Sequence, residues 1–85
     1  MVTVLYFAWL RERIGRGEEE IPLPQPATVE GLLDTLRSRG GVYDETFADT
    51  DKLRAAVNQV HVDLRHPVAD GDEVAFFPPV TGGRA

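Results

Sequence analysis

The sequence predicts an α+β domain, a mixed β-sheet packed against one main helix, and three observations carry that prediction. The first is a β-branched and aromatic segment at the start, Val2 to Ala8, matched by an apolar segment near the end, Glu73 to Phe77. The second is one amphipathic stripe between them, with Val29, Leu32, Leu33 and Leu36 at i, i+3, i+4 and i+7. The third is the run Phe76-Phe77-Pro78-Pro79, where an apolar strand meets two residues that have no N–H to give to a ladder. The chain must leave the sheet there as an extended arm. With 85 residues the chain is sized for a single domain. The expected organisation is a folded domain over residues 1–79 and a flexible tail over 80–85 that carries Gly82-Gly83.

Each element has its own signal. Val2 to Ala8 is apolar on both faces, as a central strand would be, and Trp9 to Ile14 suits a short helix ended by Gly15 and Gly17. Glu18 to Leu23 reads as a second strand. Its three glutamates suit an exposed edge, and Pro22, Pro24 and Pro26 close it. Thr28 is a good N-cap for the main helix, Glu30 lies in its first turn and Arg37 and Arg39 in its last, as the helix dipole favours. Gly40-Gly41 is expected to end it. Val42 to Lys52 is acidic and without a period, which predicts a loop pinned to the core by Tyr43 and Phe47. Leu53 to Val57 and Val60 to Leu64 read as short strands around Asn58-Gln59, and Asp70-Gly71-Asp72 as a turn before the last strand. The first and last strands are the most apolar and should lie side by side, parallel, at the sheet centre. Alternation puts Phe76 and Phe77 on opposite faces, so at most one of them points into the helix-covered core.

Composition removes several classes of function. The net charge is −5 with no basic cluster, so a phosphate-backbone footprint is missing and no nucleic-acid partner is expected. No apolar run approaches the ~20 residues of a membrane span, and Met1 leads straight into a strand without a basic leader. The expected place is the cytoplasm. The absence of cysteine excludes disulfides, thiolate zinc sites and a cysteine nucleophile within the chain. Any sulfur handled here must ride on something other than a thiol side chain.

The polar residues offer no catalytic constellation. His61 and His66 are not at metal-ligand spacing, and Asp70, Asp72 and Glu73 lack the spacing of a calcium loop. Glu18-Glu19-Glu20 is read as a solvated edge, and Gly15-Arg16-Gly17 is no phosphate loop. These readings favour a carrier or binding module over a stand-alone enzyme. Gly82-Gly83 fits the carrier reading, because glycine without a Cβ passes through a channel too narrow for other residues. The plain alternative is a frayed terminus.

The chain resembles the small subunits of molybdopterin synthase, ubiquitin-like β-grasp sulfur carriers. The resemblance runs over Val4-Leu5-Tyr6-Phe7-Ala8 with Leu10-Arg11-Glu12, over Ala56-Val57-Asn58-Gln59, and over His66-Pro67-Val68 with Asp70 through Gly83. It implies a β-grasp fold and a C-terminal Gly83 that an ATP-dependent activating enzyme adenylates and a sulfur donor converts to a thiocarboxylate. It implies that a large synthase subunit receives the tail and passes the sulfur to cyclic pyranopterin monophosphate. No metal or cofactor is expected on this chain, and ATP belongs to the activating enzyme. Gly82 and Gly83 are the candidate transfer residues, and Phe7, Arg11, Phe77, Pro78, Val80 and Thr81 the candidate partner contacts. Arg84 and Ala85 depart from the family pattern, which ends at the second glycine. They are read as a precursor extension or a cloning remnant, ahead of a tail that is not used. The competing readings are a ubiquitin-like carrier for another pathway, such as thiamine, cysteine or protein modification, and a non-carrier β-grasp interaction domain.

Overall fold

A computed structural model describes residues 1–79, so every expectation placed on residues 80–85 lies outside the described residues. The elements run β1 (Val2–Tyr6), α1 (Ala8–Ile14), β2 (Glu18–Ile21), α2 (Val29–Arg37), α3 (Gly41–Phe47), a 3₁₀ turn (Thr50–Lys52), β3 (Arg54–Val57), β4 (Val60–Val62) and β5 (Glu73–Phe77). The strands form one sheet in the order β2-β1-β5-β3-β4. The first and last strands are neighbours and parallel, with Val4 beside Val74 and Tyr6 beside Phe76. The other pairings, β1 with β2, β3 with β5 and β3 with β4, are antiparallel. The last strand therefore occupies the middle of the sheet.

Strand alternation sorts the side chains. Val2, Val4 and Tyr6 of β1, and Val74 and Phe76 of β5, are buried and face the helices. The α2 stripe of Val29, Leu32, Leu33 and Leu36 closes over them. Thr28 caps α2, its Oγ1 accepting from the Gly31 N–H at 3.0 Å. Gly31 itself sits so close to the chain before the helix that a Cβ there would overlap the Pro26 carbonyl oxygen.

Two expectations need correction. Residues 41–47 are helical and not a loop. Thr46 and Phe47 are buried and Tyr43 lies one turn back on the same side, so a helical face exists, but seven residues are too few to show a period. Phe47 does pin the segment, as its ring sits 5.9 Å from Tyr6 and 5.7 Å from Phe76. The glycine pair does not end α2, which stops at Arg37. A tighter turn follows, in which Arg39 N–H donates to Leu36 and Gly40 N–H to Arg37. Gly40 and Gly41, at φ +73° and +56°, then swing the chain into α3 through backbone angles that glycine tolerates.

Candidate functional site

The site is the edge of the domain from which the C-terminal residues depart. β5 is hydrogen-bonded on both sides until Phe77, and Pro78 and Pro79 continue from it half-buried. Phe7 extends β1 beside this exit, its N–H donating to the Phe76 carbonyl at 3.1 Å. One more step of the parallel register places Phe7 alongside Phe77, and both belong to the sheet face that the helices leave open. Phe7 is 46% exposed and Phe77 half-buried, whereas Phe76 is fully buried, so the two adjacent phenylalanines of β5 face opposite sides of the sheet. The Phe77 ring lies 5.2 Å from His61 of β4, and Arg54 of β3 stands opposite it in the ladder.

Of the residues singled out in the sequence, Phe7, Phe77 and Pro78 are thus brought together at the exit. Arg11 sits on α1 and shares a surface hollow with Phe7, Leu5 and Gly17. Its guanidinium packs where Gly17 carries no side chain, at 3.2 Å from the place a Cβ would take. Val80, Thr81, Gly82 and Gly83 lie outside the described residues. Three residues at the exit were missed. Trp9 and Arg13 of α1 and Lys52 of the 3₁₀ turn form a groove with Pro78 and Pro79. Trp9 and Arg13 are one helical turn apart, a signal present in the sequence, but Lys52 arrives through the fold alone.

Two polar clusters brace the sheet, one at its β2 margin and one at the end of β5 away from the exit. In the first, Glu19 is not the solvated edge residue that its Glu-Glu-Glu run suggested. Its carboxylate turns inward from β2 and accepts hydrogen bonds from Tyr6 Oη at 2.7 Å, Tyr43 Oη at 2.8 Å and Arg39 at 2.7 Å, with Arg16 at 3.6 Å. Alternation explains it: Glu18 and Glu20 face solvent while Glu19 points to the same side as buried Ile21. Burial works against its charge, but the bonds from Arg39, Tyr6 and Tyr43 outweigh that and hold Glu19 below the usual carboxylate range. Burial, reinforced by the Glu19 carboxylate, pushes the Tyr6 hydroxyl well above the ordinary phenol value and raises that of Tyr43.

The second cluster ties the β3–β4 turn to the start of β5. Asn58 and Gln59 both have positive φ, as a two-residue hairpin of the primed type requires. Asn58 donates its backbone N–H to the Glu73 carbonyl and accepts the Glu73 N–H on its side chain, while its amide donates to Asp72. The Ala69 N–H and then the Asn58 amide hold the Asp72 carboxyl below its ordinary value. Among the described residues no group of three or more His, Cys, Asp or Glu side chains gathers to hold a metal. No described helix is long and apolar enough to cross a membrane.

Comparisons with known proteins agree with this geometry. The ThiS family matches residues 4–83, a span that ends on the second glycine of the pair. The Escherichia coli molybdopterin synthase sulfur carrier subunit is 47% identical over 83 residues, covering 98% of this chain and all of the relative. Among solved structures, a Pyrococcus furiosus protein assigned as molybdopterin converting factor subunit 1 has a TM-score of 0.74 at 38% identity, over 93% of this chain and 97% of the other. A chain from the Helicobacter pylori complex of subunits 1 and 2 of molybdopterin-converting factor has a TM-score of 0.65 at 25% identity, over 96% and 97%. The β-grasp arrangement expected from the resemblance is the arrangement found.

Proposed function

We propose that this chain, which belongs to the ThiS family, is the sulfur-carrier subunit of a molybdopterin synthase. The observation that carries the proposal is the 47% identity to a named sulfur carrier subunit along that relative's whole length. The physical design supports it. A strand bonded on both sides fixes the point from which residues 80–85 depart, and two prolines project the chain away from the ladder. The domain over residues 1–79 is the handle, and the tail delivers the group.

A free carboxylate is a poor electrophile, so the Gly83 carboxylate must first attack the α-phosphorus of ATP, releasing pyrophosphate and leaving an acyl-adenylate. A sulfur nucleophile then adds to the acyl carbon, AMP departs, and a thiocarboxylate remains. In the large subunit this sulfur passes to cyclic pyranopterin monophosphate, and two such transfers complete a dithiolene. The chain holds no thiol, and in this reading the acid–base and phosphate-binding groups come from the activating enzyme and the large subunit. That the H. pylori neighbour comes from a complex of two subunits supports a large-subunit partner here. Phe7, Arg11, Phe77 and Pro78 are the proposed contacts on the domain, continued by Val80 and Thr81, and the cytoplasm, where ATP is at hand, is the proposed place of action.

Arg84 follows Gly83 in this sequence, so the Gly83 carbonyl is a peptide carbonyl until Arg84 and Ala85 are removed. A form ending at Gly83 should accept AMP and then sulfur, and should support dithiolene formation with the large subunit. The form ending at Ala85 should do neither unless a peptidase is present. Gly82→Val in the shortened form should block transfer without unfolding the domain, because the fault lies in threading. A side-by-side adenylation assay with purified components tests this, and equal activity of the two forms would overturn it.

A further inference from the structure

The molecule is acidic overall, yet the surface next to the tail exit is not. Trp9, Arg13, Lys52, Pro78 and Pro79 line a groove that contains no acidic side chain. Its floor is apolar: a half-buried indole and two proline rings. Its walls carry two exposed cations. The Arg13 guanidinium lies over the Trp9 ring at 5.8 Å from its centre, within cation–π reach, which steadies the long side chain at the rim. The ion pairs among the described side chains engage Arg16, Arg37 and Arg39 and leave Arg13 and Lys52 unclaimed. Lys52 is moreover the only lysine of the chain, and it sits here.

We propose that this groove is a docking slot for a segment of the tail-accepting large subunit that presents an apolar side chain beside one or more carboxylates. The proposal rests on the carrier reading given above. Two arguments select this occupant. Charge complementarity demands carboxylates, because two unpaired cations flanking an apolar floor repel a basic segment and leave a neutral one without polar partners. Continuity selects the molecule: Pro79 lines the groove and is the last residue before the tail, so whatever holds the tail also covers the groove. Trp9 then serves as an aromatic anchor of the kind that dominates binding energy, and Arg13 and Lys52 steer the approach and set its register. A partner basic enough to suit the −5 chain as a whole would still need an acidic patch at this one place.

Trp9 is the only tryptophan, which makes the test direct. The carrier ending at Gly83, labelled with 5-fluorotryptophan, gives a single ¹⁹F signal from the groove. Adding the unlabelled large subunit should shift that signal and remove its solvent isotope effect. Arg13→Glu and Lys52→Glu should each weaken the complex about tenfold at low salt, mostly through a slower association rate, and flatten its salt dependence. Arg65→Glu, the same charge change on the β4–β5 connection, should alter affinity less than twofold. Four results would overturn the proposal. The complex forms but the Trp9 signal does not move and the charge reversals match the Arg65 control. Deleting residues 80–83 shifts the signal without any partner, which would make the tail the occupant. The signal moves with carrier concentration alone, which would make the occupant a second copy. The unmutated carrier forms no complex at all, in which case the carrier reading fails first and takes this proposal with it.

Discussion

Phe76 and Phe77 are adjacent in sequence, and the structure turns one into the core and the other to the open sheet face, where the proposed partner contact lies. Phe76 has no exposed surface and packs its ring 5.7 Å from Phe47. Truncating such a side chain costs about 3–5 kcal/mol. A domain of 85 residues holds roughly 4–13 kcal/mol of stability, so Phe76→Ala should remove a large share of it and lower its melting temperature by ~12–40 °C. Phe77 is only partly buried, on the open sheet face, with His61 as its aromatic neighbour at 5.2 Å. Losing about two-thirds of a phenylalanine's burial, together with a pair to the exposed His61, amounts to roughly 1.5–2.5 kcal/mol. Phe77→Ala should therefore stay folded, yet bind the large subunit at least ~5-fold more weakly, a loss of about 1 kcal/mol or more. Urea unfolding followed by circular dichroism, with calorimetric binding on the same samples, separates the two effects. If Phe77→Ala destabilises the domain as much as Phe76→Ala does, the assignment of faces is wrong. If it binds with unchanged affinity, Phe77 is no part of the interface.

Two further perturbations probe the packing of the domain. Gly31→Ala should destabilise the domain despite the ~1 kcal/mol that helix propensity offers alanine. The new methyl would strike the Pro26 carbonyl, which the Thr28 N–H holds at 2.9 Å, and such overpacking costs ~1–3 kcal/mol or more. A melting temperature above that of the parent chain would refute the close approach. Glu19 titrates below its unfolded value, so its contribution to stability is complete above about pH 4.3 and is lost as pH falls through the lower folded value. Glu19→Gln should be less stable at pH 7 and should lose less on acidification. Urea midpoints measured from pH 7 to 3 that run parallel for the two proteins would count against the network.

The sheet and the main helix were legible because their signals are local. Thr28, the Val29-Leu32-Leu33-Leu36 stripe and the two apolar terminal strands each declare themselves within a few residues. The opposite facing of Phe76 and Phe77 is legible in the same way, since a period of two needs no partner strand to be known. What escaped was set by distant residues. The helix at 41–47 takes its stability from Phe47 lodging between Tyr6 and Phe76, 41 and 29 positions away in sequence. Glu19 looked like the middle of a solvated run because its three hydrogen-bond partners, Tyr6, Arg39 and Tyr43, come from β1, from the turn after α2 and from α3. The groove at the exit assembles Trp9, Lys52 and Pro78 from three separate stretches, so no window of sequence contains it.

The place of β5 in the sheet also has a mechanical meaning. A partner that takes hold of the tail and hauls on it pulls along the axis of a strand flanked by β1 on one side and β3 on the other. The hydrogen bonds of both ladders lie across that line of force. They are loaded together, in shear, and a strand cannot slip without breaking the set at once. Had the tail sprung from β2 or β4 at the margins, the same tug would peel bonds singly, like opening a zip. The central position gives the handle a seam on either side, and the domain can be gripped by its thinnest part without coming undone.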